Sequence, residues 1–310
     1  MQMETSPTQQ TQDVPPQIGG IIVSYHPSEE LVAVVKAIRG QVTKLLIVDN
    51  ASEAKGTEVF ERLAGVDFEI IRNPENLGIA TALNQGLAWA RGHGLDWVLT
   101  LDQDTVCEAD MVERMFDAYR ASVGRERIAV LAPVHFDRKS GHLSAELSGL
   151  GTALVDCNYV MTSGNLVPLA IFDKIGTFDE SFFIDYVDHD FCLRAKKNGL
   201  RVVLVPSARM GHNVGNLKRH SIAGLFSFFS HNYRPERHYY RYRNRIILYR
   251  RYFGSWIWHD QRFALGELVK VYLVEKDRWK KTKAMFRGTV DGLLNRLGPM
   301  GRPGKSAGSR

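Results

Sequence analysis

The chain has 310 residues and a formal net charge of +6 at pH 7, enough length for one good-sized core or one core with a small appendage. The modest positive charge suits anionic partners (nucleotides, phospholipid headgroups, nucleic acid) without choosing among them. The three cysteines, Cys107, Cys157 and Cys192, are odd in number and lack CxxC spacing. That argues against a disulfide framework or a zinc site, and for a reducing, cytoplasmic compartment.

Residues 1–17, MQMETSPTQQTQDVPPQ, lack the basic-then-apolar order of a signal peptide and read as a disordered leader. No stretch reaches the roughly 18 apolar residues of a spanning helix. From Ile18 to about Pro133 a β-α rhythm repeats. Strands are expected at 21–25, 45–50, 68–73, 97–102 and 128–133, short runs apolar enough to be buried on both faces of a parallel sheet. Between them, Leu31, Val34, Val35 and Ile38 share one helical face behind the first-turn acids Glu29 and Glu30, and Ile79, Leu83, Leu87 and Ala90 share another. This is a doubly wound α/β layout.

After Pro133 the rhythm breaks. Residues 134–153 are rich in Gly and Ser and read as hairpins or loops. A strand at 156–161, helices at 169–175 and 187–197, and a strand at 201–205 follow. Residues 216–298 form a basic, aromatic, helical region, and 299–310 a Gly/Arg/Ser tail expected to be disordered.

In a parallel α/β sheet ligands bind beyond the carboxyl ends of the strands. Three polar groups stand there: Ser24-Tyr25-His26, Asp49-Asn50-Ala51-Ser52 and Asp102-Gln103-Asp104-Thr105. Turn chemistry accounts for any one of them, but less readily for three in register. Two carboxylates one residue apart at the end of an apolar strand make a hard oxygen site for Mg²⁺ or Mn²⁺. Such an ion stabilises the charge that develops on a leaving nucleoside diphosphate. Asn76-Leu77-Gly78 opens a helix whose free N–H groups could meet that diphosphate.

The motifs SYH, VDNAS, NPENLGIATALNQGL, LTLDQDT and FFIDYVDHDFCLR, in this order over residues 18–250, resemble glycosyltransferase family 2, inverting enzymes of the GT-A fold. The DQD form with the downstream acidic segment is most similar to the bacterial rhamnosyltransferases of that family. The resemblance implies a Rossmann-like, mostly parallel catalytic domain over 18–215. It places Ser24 and Tyr25 in the nucleotide pocket, Asp49 on the pyrimidine base, and Asn76, Gly78 and Asn84 along the nucleotide-sugar. Asp102 would face the ribose or sugar, and Asp104 would ligate the metal with His212. Ser163 and Gly164 belong to a small-residue loop beneath the sugars. Arg194 is either a packing salt bridge or a site contact, and Arg243, in a YYxxRN element, would help close the site.

An inverting transfer is one in-line displacement and needs a base for the acceptor hydroxyl. The resemblance assigns that role to Asp188. Val187 stands where the family often has Glu, and Asp185 could compensate. The implied donor is dTDP-L-rhamnose and the implied acceptor a glycan or lipid-linked oligosaccharide. A UDP-hexose donor keeps the same chemistry. The segment 231–260, with Arg234, Arg237, Arg241, Arg243, Arg245, Arg250 and Arg251 among aromatic residues, suits an anionic membrane surface, which would make the protein peripheral on the inner face of the cytoplasmic membrane. A helix docked on the catalytic domain is the other reading of it. A nucleotidyltransferase would carry a Gly- and Lys-rich loop after the first strand, and SYHPSEE has neither. A nucleic-acid-binding module would leave the acidic motifs unexplained.

Overall fold

The structure, a computed structural model, describes residues 15–137, 151, 153–212, 218–222, 226–230 and 232–301. Most of the expected leader, most of the Gly/Ser-rich stretch and the end of the tail lie outside the described residues. The chain runs β1 (Ile18–Ser24), α1 (Glu30–Ile38), β2 (Lys44–Asp49), α2 (Ala54–Glu61), β3 (Glu69–Arg72), α3 (Ile79–Gly92) and β4 (Trp97–Asp102). A short β5 (Thr105–Cys107), α4 (Met111–Ala121) and a long β6 (Ile128–Asp137) follow. Next come β7 (Val155–Asp156), β8 (Asn165–Pro168), α5 (Leu169–Ile175), α6 (Val187–Lys197) and β9 (Arg201–His212). A hairpin of β10 (Lys218–Ile222) and β11 (Phe226–Ser230) leads to α7 (Pro235–Arg251), α8 (Trp256–Val274) and α9 (Arg278–Leu293).

The main sheet has the order β3-β2-β1-β4-β8-β6-β9-β5, with β7 on β9. The first four strands are parallel, as the β-α rhythm requires. Their register sets Ser24 opposite Asp49 and Val23 opposite Asp102, so the three polar motifs leave the sheet side by side. Beyond β4 the sheet is mixed: β8 runs antiparallel to β4 and β6, while β9 runs parallel to β6.

Helices cover both faces. On one, Ile22, Ile47 and Leu99 pack with Leu31 and Val35 of α1 and Met115 of α4. On the other, Ile21, Leu46 and Val48 join Leu83 and Leu87 of α3, Phe172 of α5 and Phe191 of α6. That second core continues into Ile247 and Leu248 of α7 and Trp256 of α8.

Three expectations change. The strand expected at 156–161 shrinks to the two-residue β7, and the strand that bridges the sheet is β8, a four-residue run too short to show a period. β9 continues past 205 to His212, through Pro206, because it pairs on with β6 and β5 after a register shift. The C-terminal region opens with a hairpin before its helices.

Candidate active site

At the ends of β1 and β2 the backbone turns through left-handed residues, His26 at φ 48° and Ala51 at φ 68°, a conformation that costs energy for non-glycine residues. Asp49 is buried at 2% exposure. Its carboxylate accepts from Ser24 Oγ at 3.1 Å, from Ser52 N at 3.3 Å and from Ser52 Oγ. The half-exposed Tyr25 is fixed by Gln103, whose Oε1 accepts from Tyr25 N at 2.8 Å and whose Nε2 donates to Tyr25 O at 3.1 Å. The middle residue of the DQD motif thus holds the first strand's polar end against the fourth.

Asp102 N donates to Ser163 Oγ at 2.9 Å, which ties the small-residue loop to the motif. Gly164 sits at φ +89°, and a Cβ there would lie 2.4 Å from Met210 Sδ, so this position must be glycine. Burial, then the negative charges of Asp104 and Asp188, push the Asp102 carboxyl up to about 7, against a smaller pull from Arg237. Asp104 Oδ1 accepts from Thr105 Oγ1 at 3.3 Å. Thr105 pairs with His212 across β5 and β9, which brings the His212 backbone next to the motif; its side chain lies outside what the structure describes.

The second acidic group enters on a strained loop. Ile184 N donates to Phe182 O at 2.7 Å, a γ-turn centred on Phe183 at φ 62°, ψ −62°. Asp185 and Tyr186 follow at φ 59° and 67°. Such strain persists only where neighbours hold it. Asn244, fully buried on α7, donates to the carbonyls of Phe182, Ile184 and Asp185 at 2.8–2.9 Å. Arg243, also fully buried, donates to the carbonyls of Ser181, Phe182 and Gly298. Tyr240 stacks on Phe183 with ring centroids 4.8 Å apart.

Asp185 is engaged by Arg237, whose Nε and Nη2 each donate at 3.1 Å to one of its carboxylate oxygens. Asp188, in the first turn of α6, accepts on Oδ1 from His189 N at 2.8 Å and faces His189 Nδ1 at 2.8 Å. Burial opposes its ionisation, but the charge and hydrogen bonds of His189 outweigh that and hold the carboxyl below its usual range. His189 in turn stacks on Tyr159, centroids 3.9 Å apart. Asp188 is therefore an ionised carboxylate at neutral pH, close enough to Asp102 to perturb it.

Several of the expected contact residues also make structural bonds. Three of the N–H groups that lead into α3 are engaged: Leu77 N donates to Asn50 Oδ1, Gly78 N to Asn76 Oδ1 and Ile79 N to Phe183 O. Gly78, at φ +86°, has no room for a side chain because a Cβ would lie 2.6 Å from Phe183 O. Asn76 and Gly78 thus seat the acidic loop. Asn84 exchanges hydrogen bonds with the Phe178 backbone and donates to Glu180. Arg194 holds the carbonyls of Ile175 and Thr177 and the buried Asp190, the contacts of its packing reading. Arg243 supports the acidic loop from behind instead of closing over it.

The arginine-rich segment behaves likewise. Arg237 meets Asp185, Arg241 faces Glu267 at 3.5 Å, Arg245 pairs with Asp260 at 2.8 Å, and Arg251 binds Asp179 and Asp190. These four cations pair with buried or half-buried acids, as the docked-helix reading expects, while Arg234 and Arg250 are exposed. Sequence reasoning missed Gln103, Asn50, His189 and Arg237 as working parts of the site. Gln103 and Asn50 lay inside the quoted motifs; Arg237 gave no signal beyond its charge.

Among the described residues, no three His, Cys, Asp or Glu side chains gather closely enough to hold a metal ion by themselves. The donors present are nevertheless hard oxygens, and the charges of Asp104 and Asp188, which add to burial in raising Asp102, are ones a divalent cation would relieve.

An α/β/α sandwich that delivers a DxD pair at its fourth strand, facing a carboxylate on a helix from the mixed half, defines a GT-A glycosyltransferase. The family model described as Glycosyl transferase family group 2 matches residues 97–286, and that described as Glycosyl transferase family 2 matches residues 21–144. The chain belongs to the family-2 glycosyltransferases. It is 26% identical over 292 residues to the dTDP-rhamnosyl transferase RfbF of Shigella flexneri, covering 89% of this chain and 95% of that protein. It is 23% identical to the low-salt glycan biosynthesis hexosyltransferase Agl10 of Haloferax volcanii, covering 90% and 91%. Among solved structures, GalNAc-T7 with UDP, GalNAc and Mn²⁺ matches at TM-score 0.57 and 13% identity, over 90% of this chain and 56% of GalNAc-T7. S. aureus TarS 1–349 with UDP-GlcNAc matches at TM-score 0.56 and 13% identity, over 90% and 82%. At these identities the solved structures speak for the fold.

Proposed function

We propose that the enzyme transfers L-rhamnose from dTDP-L-rhamnose, with inversion, to a hydroxyl of a glycan or lipid-linked oligosaccharide. The observation that carries the chemistry is the placement of Asp188, an ionised carboxylate beside Asp102. The likeness to a dTDP-rhamnosyl transferase supports the donor. In this reading Ser24, Tyr25 and Asp49 hold the nucleotide, with Asp49 accepting the imide N–H of the pyrimidine. Asp102 meets the sugar or ribose over the Ser163–Gly164 loop. The acceptor oxygen attacks the anomeric carbon, its proton passes to Asp188, and the bond to the nucleoside diphosphate breaks on the opposite side. Asp104 and His212 would hold Mg²⁺ or Mn²⁺, which supplies charge to stabilise the leaving diphosphate.

Calorimetry against dTDP- and UDP-sugars with Mg²⁺ or Mn²⁺ tests this. dTDP-L-rhamnose should bind most tightly, and Asp104→Ala and His212→Ala should each weaken its metal-dependent binding. Tighter binding of a UDP-hexose would replace the donor, in line with the hexosyltransferase relative. Unchanged metal dependence in both variants would remove the metal assignment.

A further inference from the structure

Helix α8 carries two apolar faces. Trp256, Ala264 and Val271 turn inward with Asp260. On the opposite side Trp258, Arg262, Leu265, Val269 and Tyr272 follow each other at alternating steps of four and three residues, and all are exposed, Trp258 at 76%. Helix α9 repeats the pattern with Trp279, Lys283, Phe286, Val290 and Leu293, where Trp279 is 72% and Phe286 71% exposed and Val290 is half-buried. The rings of Tyr272 and Trp279 meet edge-on with centroids 6.3 Å apart, so the two stripes join. A contiguous apolar face of this kind marks an interaction surface.

The charges of the same helices are sorted. Asp260 lies on Arg245, Glu267 faces Arg241, Glu275 binds Lys281 at 2.7 Å, and Asp291 accepts from Tyr239. All four acids point inward. Arg262, Lys276, Arg278, Lys280 and Lys283 are exposed. Among the described residues from 256 to 294, the exposed acid is Asp277.

We propose that the outward faces of α8 and α9 dock the enzyme on an anionic lipid bilayer, lying in the interface. No helix among the described residues is long and apolar enough to cross a membrane. Tryptophan and tyrosine settle at the headgroup level, aliphatic and phenyl groups enter the acyl boundary, and lysine and arginine reach back to lipid phosphates. A second copy of the chain fits less well. Stripe against stripe, it would set one basic cluster on another in a partly desolvated contact. This surface is distinct from the inward-facing arginines of α7, and it does not depend on which sugar is transferred.

The test is co-sedimentation of the full chain with phosphatidylcholine vesicles, with and without phosphatidylglycerol. Binding should require the anionic lipid and fall with salt. A basic residue near such a surface is worth about fivefold in partitioning, so Lys280→Glu with Lys283→Glu should reduce binding by more than about tenfold. Trp258→Ser with Trp279→Ser should also release the protein. Both double variants alter exposed positions, and unchanged thermal unfolding and donor binding would show that fold and site are intact. Equal binding to neutral vesicles, or wild-type binding by the tryptophan variant, would overturn the proposal. So would absence of vesicle binding, and a dimer in ultracentrifugation that the tryptophan variant dissolves would then assign the face to a second copy.

Discussion

Asp188 and Asp185 are three residues apart, and only their surroundings separate their roles. Asp185 has both carboxylate oxygens in bonds to Arg237, so it could meet an acceptor hydroxyl only by giving up part of that pairing. Asp188 has His189 on one oxygen, Oδ1. Asp188→Asn should therefore retain donor affinity and lose about 10²–10⁴-fold in kcat, the usual worth of a general base. Asp185→Asn should cost less. If turnover survives in Asp188→Asn and collapses in Asp185→Asn, the base is Asp185. The lowered pKa fixes the direction of the pH profile. The base is ionised above its folded pKa, so activity is lost as pH falls through that value. His189→Ala removes what lowers it, so the acid limb of kcat should move to higher pH, and an unmoved limb would separate His189 from the base. The carboxylates were legible because DxD and the acidic segment are short and ordered. The role of Arg237 was not, because its partner lies 52 residues away and composition shows charge without showing what it meets.

At the scale of elements, α5 and α6 were legible to the residue, their apolar faces and the Asn198-Gly199 stop being local signals. The orientation of α7 was not. Its arginines read equally as a membrane face or as part of a docked helix, and several of them pair with acids on the α6 loop, on α6 and on α8. What lets α7 reach that loop is its close packing on α9. A Cβ on Gly288 would lie 2.2 Å from Tyr239 O, and one on Gly292 2.7 Å from Arg243 O. Backbone oxygens cannot rotate away, so Gly288→Ala should cost about 1–3 kcal/mol of overpacking against a helix-propensity gain of at most about 1 kcal/mol. The net result should be a lower Tm. It should also lower kcat, since displacement of α7 releases the Asn244 clamp on the strained loop. Gly266→Ala on α8 is the control: nothing lies within 4 Å of its Cβ position, so it should be neutral or slightly stabilising. Equal thermal shifts for the two variants would refute the close-packing account.

Over the whole molecule, the legible half is the one built by local repetition. Parallel strands β1 to β4 announce themselves through β-α alternation and buried apolar runs, and they fix where Asp49 and Asp102 emerge. The mixed half rests on long-range pairings, such as Leu166 of β8 with Leu99 on one side and Leu131 on the other, which no local period encodes. The two halves and the C-terminal helices nevertheless share one interior. Ile247, Leu248, Trp256 and Leu297 belong to the same buried cluster as Ile21, Leu83 and Phe191, and the acidic loop is bonded to α3 at one end through Ile79 and to α7 through Asn244. The C-terminal helices are thus part of the catalytic fold and no detachable anchor. Calorimetric unfolding of the full chain should show one transition, with the heat expected of cooperative melting. A chain ended at Ser230 should melt at a lower temperature, because it exposes one side of that cluster to water. It should also lose turnover, because the loop that leads into Asp188 is no longer braced. Two separate transitions, or a shortened chain with full Tm and activity, would show that the helices fold as an independent unit.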